Sequence, residues 1–338
     1  MTCSTVKTSA NPPLAVTLIT GLLGSGKTTL IRQLLKQKPP HENWALLINE
    51  FGEMGIDAPT LQATDLPIFE VNGGCICCSA QHQLGRVLDQ INALTQLERL
   101  IIEPTGLGHP AQIIDTIARQ RNHFVLQNSL CVIDSARFSI QLWQKSAVLR
   151  DLINLADVVI LNKIDLINPA QLESQQQFLA DLTPPKTRVI TSRFGDIAPG
   201  LITQSYARPP LMLLQSRGHE LLAPGLVQPF ASELPQVISS VMHRGSPASI
   251  GWIFTPHILF QRPQLKALFN SPPPGLVRAK ALLRTGKEWQ LINWVNGTLS
   301  FEDIAWRADS RLEMIFESPP NPADLEKMLF QVLQVRDL

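Results

Sequence analysis

The chain has 338 residues, enough for about two domains, and its 44% apolar share suits a globular protein with a sizeable core. A net charge of +1 argues against the basic field of a nucleic-acid or anionic-membrane binder, so neither partner is expected. No apolar run approaches the roughly 18–20 residues that span a bilayer, and five cysteines in this length do not make a disulfide scaffold.

Residues 1–13 are polar, carry one lysine and lack the apolar core of a signal peptide, so a flexible lead-in and a cytoplasmic location are expected. Residues 14–20 are a short, apolar, β-branched run, the mark of a buried parallel strand. They lead into Gly21-Leu22-Leu23-Gly24-Ser25-Gly26-Lys27-Thr28-Thr29, which fits G-x-x-x-x-G-K-[ST]. Residues 29–37 then place Leu30, Ile31, Leu34 and Leu35 on one helical face, ended by Pro39-Pro40. Strand, glycine loop and helix in that order predict a triphosphate cradle. Glycines let backbone N–H groups turn inward around an anion, and the helix N-terminus adds partial positive charge. Gly21, Gly24, Ser25, Gly26 and Thr29 are assigned to the cradle, with Lys27 reaching the β- and γ-phosphates and the Thr28 hydroxyl on Mg²⁺.

Residues 44–48 read as a second buried strand, running into Asn49-Glu50-Phe51-Gly52-Glu53-Met54-Gly55, where a P-loop protein carries a nucleotide-sensing switch. A strand at 66–71 has Pro67 at its start or at a sheet edge. A helix at 81–97 lines up Leu84, Val87, Leu88, Ile91 and Leu94. Strands ending in a carboxylate follow at 99–103 and 130–134, with a helix at 111–119 between them, and 157–165 repeats the pattern. A polar helix at 171–182 and a short strand at 187–192 complete the run. Alternating strands and helices predict an α/β fold over 14–205, a mostly parallel P-loop NTPase sheet flanked by helices, with ligands at the strands' carboxyl edge.

Pro209, Pro210, Pro224, Pro229 and Pro235 interrupt residues 206–235, which read as a linker. Residues 236–338 predict a smaller α+β domain. Its strands are expected at 249–254, 276–284 and 311–317 and its helices at 263–269 and 322–335. A hairpin of 289–295 and 298–304 turns at Asn296-Gly297, the preferred type I′ pair.

Three stretches carry chemistry. Asn162-Lys163-Ile164-Asp165 matches the guanine motif: one carboxylate can accept both N1–H and N2–H of guanine, whereas adenine would leave Asp165 unpaired. Asn162 and Lys163 are expected to brace the loops around the base. In Glu103-Pro104-Thr105-Gly106 the acid holds Mg²⁺ through water and Gly106 offers its N–H to the γ-phosphate. The third is Gly73-Gly74-Cys75-Ile76-Cys77-Cys78. Its thiolates favour Zn²⁺ or Cu(I) and lack the Cys-x-x-Cys spacing of a closed structural zinc site. Three ligands from one segment leave a coordination position for Glu53, His82 or a client. The alternative is a redox or structural role. Cys131, in an apolar run, reads as an inert core residue.

Together these pieces resemble the CobW-type family of metal-chaperone GTPases, related to the nickel-insertion GTPases of urease and hydrogenase maturation. The matching residues are Thr20 to Thr29, Asn49 to Glu53, Gly73 to Cys78, Glu103 to Gly106 and Asn162 to Asp165, in family order. Residues 103–110 and Gly251-Trp252-Ile253-Phe254 are similar to a bacterial zinc-binding branch. The resemblance implies GTP hydrolysis with Mg²⁺, metal binding at the cysteines and Glu53, and transfer to a client metalloprotein. Zinc is the favoured metal, with cobalt or nickel as alternatives. Two departures stand out. The linker holds only His219 where many relatives carry a histidine-rich tract, and Ile48 stands where some carry an acid. No evident glutamine orients the attacking water, which implies slow intrinsic hydrolysis. The competing readings are a regulatory GTPase with structural or redox cysteines and an ATP-dependent kinase, the latter disfavoured by Asp165.

Overall fold

The computed structural model describes residues 12–48, 66–70, 79–94, 96–104, 109–182, 186, 188–204, 227–286 and 288–334. They divide between one unit drawn from 1–145, 156–176 and 188–206 and another drawn from 146–155, 177–187 and 207–338.

In chain order the first half carries β1 (Leu14–Thr20), α1 (Lys27–Lys36), β2 (Trp44–Ile48), β3 (Ile68–Glu70), α2 (Ser79–Asn92), β4 (Arg99–Ile102) and α3 (Pro110–Arg119). Then come β5 (Phe124–Asp134), α4 (Ile140–Lys145), α5 (Ala147–Leu155), β6 (Val158–Asn162), α6 (Pro169–Ala180), β7 (Arg188–Thr191) and α7 (Gly200–Thr203). The strands form one seven-stranded sheet in the order β3-β2-β4-β1-β5-β6-β7, and every neighbouring pair is parallel. Continuous apolar runs make this possible. β2, β4 and β6 are buried along their whole length, as strands covered on both faces must be. Ile19, Leu30, Ile31, Leu34, Ile101 and Val132 meet in the core beneath α1, so the helix that follows the glycine loop is anchored by its buried stripe.

Polar residues concealed one part of the sheet. The strand expected at 130–134 begins at Phe124, and its first half carries Gln127, Asn128 and Ser129. A register shift between Val16 and Thr17 leaves Gln127 unmatched in the β1–β5 ladder. Both amides are spent on α7, whose last carbonyls have no partner within the helix. Asn128 Nδ2 donates to the carbonyls of Ile202 at 3.2 Å and Gln204 at 2.9 Å. Gln127 Nε2 donates to Thr203 O at 2.8 Å, and Arg99 Nη1 donates to Ile202 O at 2.6 Å and to Gln127 Oε1 at 2.7 Å. Burial lowers the Arg99 pKa from its ordinary value, and the nearby Glu42 charge opposes that shift.

The later residues form β8 (Val227–Pro229), β9 (Val237–His243), β10 (Ala248–Phe254), β11 (Leu259–Phe260), α8 (Arg262–Asn270), β12 (Leu276–Arg284), β13 (Trp289–Val295), β14 (Thr298–Ile304), β15 (Ser310–Phe316), α9 (Pro322–Phe330) and β16 (Leu333–Gln334). Their main sheet is antiparallel, ordered β14-β13-β12-β15-β10-β9-β8, with β11 and β16 paired separately. The hairpin turns at Asn296 and Gly297, both with positive φ, as a type I′ turn requires. Trp252, Phe254, Phe260, Phe269, Phe316 and Leu312 centre this unit's core. Glu326, buried in α9, accepts from Trp252 Nε1 at 2.9 Å, Ser232 Oγ at 2.6 Å and Glu233 N at 3.0 Å.

Several boundaries differ from the sequence expectation. The stretch read as linker contributes β8 at its end, while 206–226 lie outside the described residues. The helix expected at 81–97 stops at Asn92, and Leu94 is exposed. The closing helix stops at Phe330 and the chain turns back as β16. β9, β11, α4 and α5 were not expected from the sequence; α5 nonetheless buries Leu149, Leu152 and Ile153 at helical spacing. Replacing Asn128 with alanine is expected to lower the unfolding free energy by about 1–3 kcal/mol, the penalty for stranded buried carbonyls. Urea titration measures it, and a change within about 0.5 kcal/mol would show that the amide clamp is dispensable.

Candidate functional site

Parallel strands send all their carboxyl ends to one edge, and the chemistry-bearing residues of the first unit gather there. β1 ends at Thr20, whose Oγ1 donates to Leu130 O at 3.0 Å, and the glycine loop follows. Its conformation is left-handed at Gly24 and Gly26, with φ of 77° and 99°. A loop that turns its N–H groups inward turns carbonyls outward, and buried carbonyls need donors. Asn162 Nδ2 donates to Ser25 O at 3.0 Å, and Lys163 Nζ donates to Gly24 O at 2.7 Å. Lys27, almost fully buried, donates from Nζ to Gly21 O at 3.1 Å and Leu22 O at 3.3 Å and lies 3.8 Å from Glu103 Oε1. Thr28 is half-buried in the first turn of α1, and Thr29 is exposed beside it.

Asn162 and Lys163, at the end of β6, are thus tied directly to the glycine loop. Lys163 adopts a left-handed φ of 60° and starts a 3-10 turn, Ile164–Leu166, in which Asp165 is exposed to solvent. A hydroxyl at Thr28 and a buried carboxylate at Glu103 are hard oxygen donors of the kind Mg²⁺ takes.

Sequence reasoning missed two parts of this edge. Asp134, noticed only as a strand-end acid, accepts from Lys163 Nζ at 2.7 Å and from Ala136 N at 3.0 Å, with Arg137 Nε 3.8 Å away. A cation at the end of the next strand in sequence was the clue, and only pairing of β5 with β6 brings it near. The second part is the loop after β7, where Gly195 N donates to Asn162 Oδ1 at 3.1 Å. Gly195 has φ 71°, and a Cβ there would lie 2.6 Å from Leu30 N, so no side chain fits against α1. The glycine after a strand at the ligand edge was a signal in plain view.

Gly106, Glu53, Cys75, Cys77 and Cys78 lie outside the described residues. Among the described residues no three His, Cys, Asp or Glu side chains are grouped to hold a metal ion, and no helix is long and apolar enough to cross a membrane. Cys131 is buried in β5, in the core.

Residues 15–190 match the family described as CobW/HypB/UreG, nucleotide-binding domain. The chain is similar to the zinc chaperone YeiR of Escherichia coli (strain K12), 30% identical over 322 residues that make up 93% of this chain and 97% of that one. It is also similar to the zinc chaperone YjiA of the same organism, 33% identical over 198 residues, 56% of this chain and 61% of that one. Among solved structures it resembles the Zn(II)-bound YjiA GTPase from E. coli, at 20% identity and a TM-score of 0.41, over 95% of this chain and 99% of that one.

A Cβ on Gly26 would stand 2.3 Å from Asn162 Nδ2. Gly26→Ala is therefore expected to push Asn162 off the phosphate loop and weaken nucleotide binding by at least about ten-fold, consistent with ~1–3 kcal/mol of backbone strain. Titration calorimetry measures it, with far-UV circular dichroism unchanged. Parent-like affinity would mean the loop yields without consequence.

Proposed function

The chain belongs to the CobW/HypB/UreG family, and from that premise we propose that it is a GTP-gated metallochaperone, which loads zinc and releases it to a client protein. It is a GTPase: GTP and water give GDP and phosphate. Lys27 and the cradle N–H groups hold the β- and γ-phosphates, Asp165 reads the guanine edge, and Asn162 and Lys163 keep base loop and phosphate loop together. Thr28 and, through water, Glu103 would hold Mg²⁺, which would supply positive charge to the triphosphate. Gly106 is assigned to the γ-phosphate through its N–H.

Strand order is the observation that carries the metal-release reading. β3, β2, β4 and β1 are consecutive neighbours and all parallel. Residues 71–78 with the cysteines leave the carboxyl end of β3, and residues 49–55 with Glu53 leave that of β2. Glu103 leaves β4, and the glycine loop leaves β1. On this reading the segments assigned to metal ligands, switch, magnesium acid and phosphate cradle follow four consecutive strands of the sheet in the chain. A γ-phosphate that draws the 49–55 segment toward β1 changes the neighbour of the cysteine segment, so an order–disorder switch can couple hydrolysis to the thiolates. Cys75, Cys77 and Cys78, with Glu53, supply soft and borderline ligands suited to zinc as cargo. YeiR, named a zinc chaperone and matched along nearly its whole length, supports the same assignment. The site of action is the cytoplasm.

Two measurements test this. Zinc affinity is expected to be at least about ten-fold higher with a non-hydrolysable GTP analogue than with GDP, a differential of ~1.4 kcal/mol, and to collapse in Cys77→Ser. Equal affinity in both states removes the gate, and cysteines that stay alkylatable under zinc and GTP favour the regulatory alternative. Asp165→Ala is expected to abolish preference for GTP over ATP in steady-state hydrolysis. Retention of that preference would move base recognition elsewhere.

A further inference from the structure

Asp165 can read the edge of the base, which leaves open what covers its face. We propose that Phe194 packs on the face of the guanine ring; the inference rests on the guanine-nucleotide reading above. The loop that carries Phe194 is held on both sides. Ser192 N donates to Leu161 O at 2.8 Å, and Ile164 N donates to Ser192 O at 3.4 Å, so the loop is attached directly to the base-reading turn. On the other side Gly195 N reaches Asn162 Oδ1 at 3.1 Å, and Asp196 Oδ1 accepts from Gln37 Nε2 at 3.1 Å. Ser192 Oγ closes the loop on Asp196 O at 3.0 Å.

Between these fixed points Phe194 has φ 54° and is 70% exposed. A single exposed apolar side chain needs no explanation. A bulky L residue in the left-handed region does, because its Cβ crowds the following carbonyl and burial returns nothing here. Asn or Gly would fill the position with less strain. Strain kept in a pinned loop beside a binding turn points to function. A planar aromatic on a loop hydrogen-bonded to the turn that carries Asp165 offers the missing half of a base site: an apolar π face for stacking. Asp165 then supplies selectivity for guanine, and Phe194 supplies affinity for the ring whatever the phosphate count.

The test compares wild type, Phe194→Ala and Phe194→Trp by titration with GDP, a non-hydrolysable GTP analogue and ITP. The alanine variant is expected to lose about ten-fold in affinity, in the range of base–aromatic stacking, by the same factor for all three nucleotides. Its thermal midpoint should be unchanged, since the side chain is 70% exposed. The tryptophan variant should retain affinity and show fluorescence quenching when GDP binds. Wild-type affinity in Phe194→Ala, or a loss confined to the triphosphate, overturns the assignment. Failure of wild type to prefer GTP over ATP overturns the guanine reading itself, a different result from an unaffected alanine variant whose GTP preference is intact.

Discussion

At the carboxyl edge of the parallel sheet one buried amide serves partners from two loops that are far apart in sequence. Asn162 donates to Ser25 O and accepts from Gly195 N, so the phosphate loop, the base-reading turn and the loop after β7 share a single anchor. The need for it follows from the cradle. Inward N–H groups oblige outward carbonyls, and a carbonyl buried without a donor costs as much as a lost hydrogen bond. Asn162 meets one such carbonyl, at Ser25, and Lys163 donates to the exposed carbonyl of Gly24. An alanine at 162 would leave two loops unsatisfied at once, so the glycine loop and the loop after β7 cannot vary independently of this side chain.

Charge is arranged on the same principle. Lys27 is buried beside Glu103, and Lys163, partly exposed, is paired with Asp134. A buried cation without such a partner carries a heavy desolvation penalty. Both lysines also donate to carbonyls of the glycine loop, which orients them along it. Arg137, with its side chain largely exposed, stands at the rim of the same cluster.

The second unit uses buried polar groups differently. Glu326 gathers three donors from β10 and from the residues just before β9, and Asp309 takes Arg311 in a two-pronged contact at 2.7 and 3.0 Å. These groups sit within an aromatic core and specify how a helix and a strand end dock on the antiparallel sheet. A solvated role would not bury them.

Local pattern determined much of this protein. Apolar β-branched runs named β1, β2, β4 and β6, the Asn296-Gly297 pair named its hairpin, and spacing named the glycine loop, Glu103 and Asn162 to Asp165, because short-range sterics and hydrogen-bond chemistry act between residues close in the chain. Strand order, the bulge at Gln127, the link from Asp134 to Lys163, and the stand of Gly195 against α1 were decided only in the folded state. Each joins residues whose partners are set by which strands pair, and a periodic sequence records that a strand is buried without recording its neighbour. The adjacency of β3, β2, β4 and β1 has the same origin. Sequence supplied the motifs, and the parallel sheet decided which strands stand beside one another.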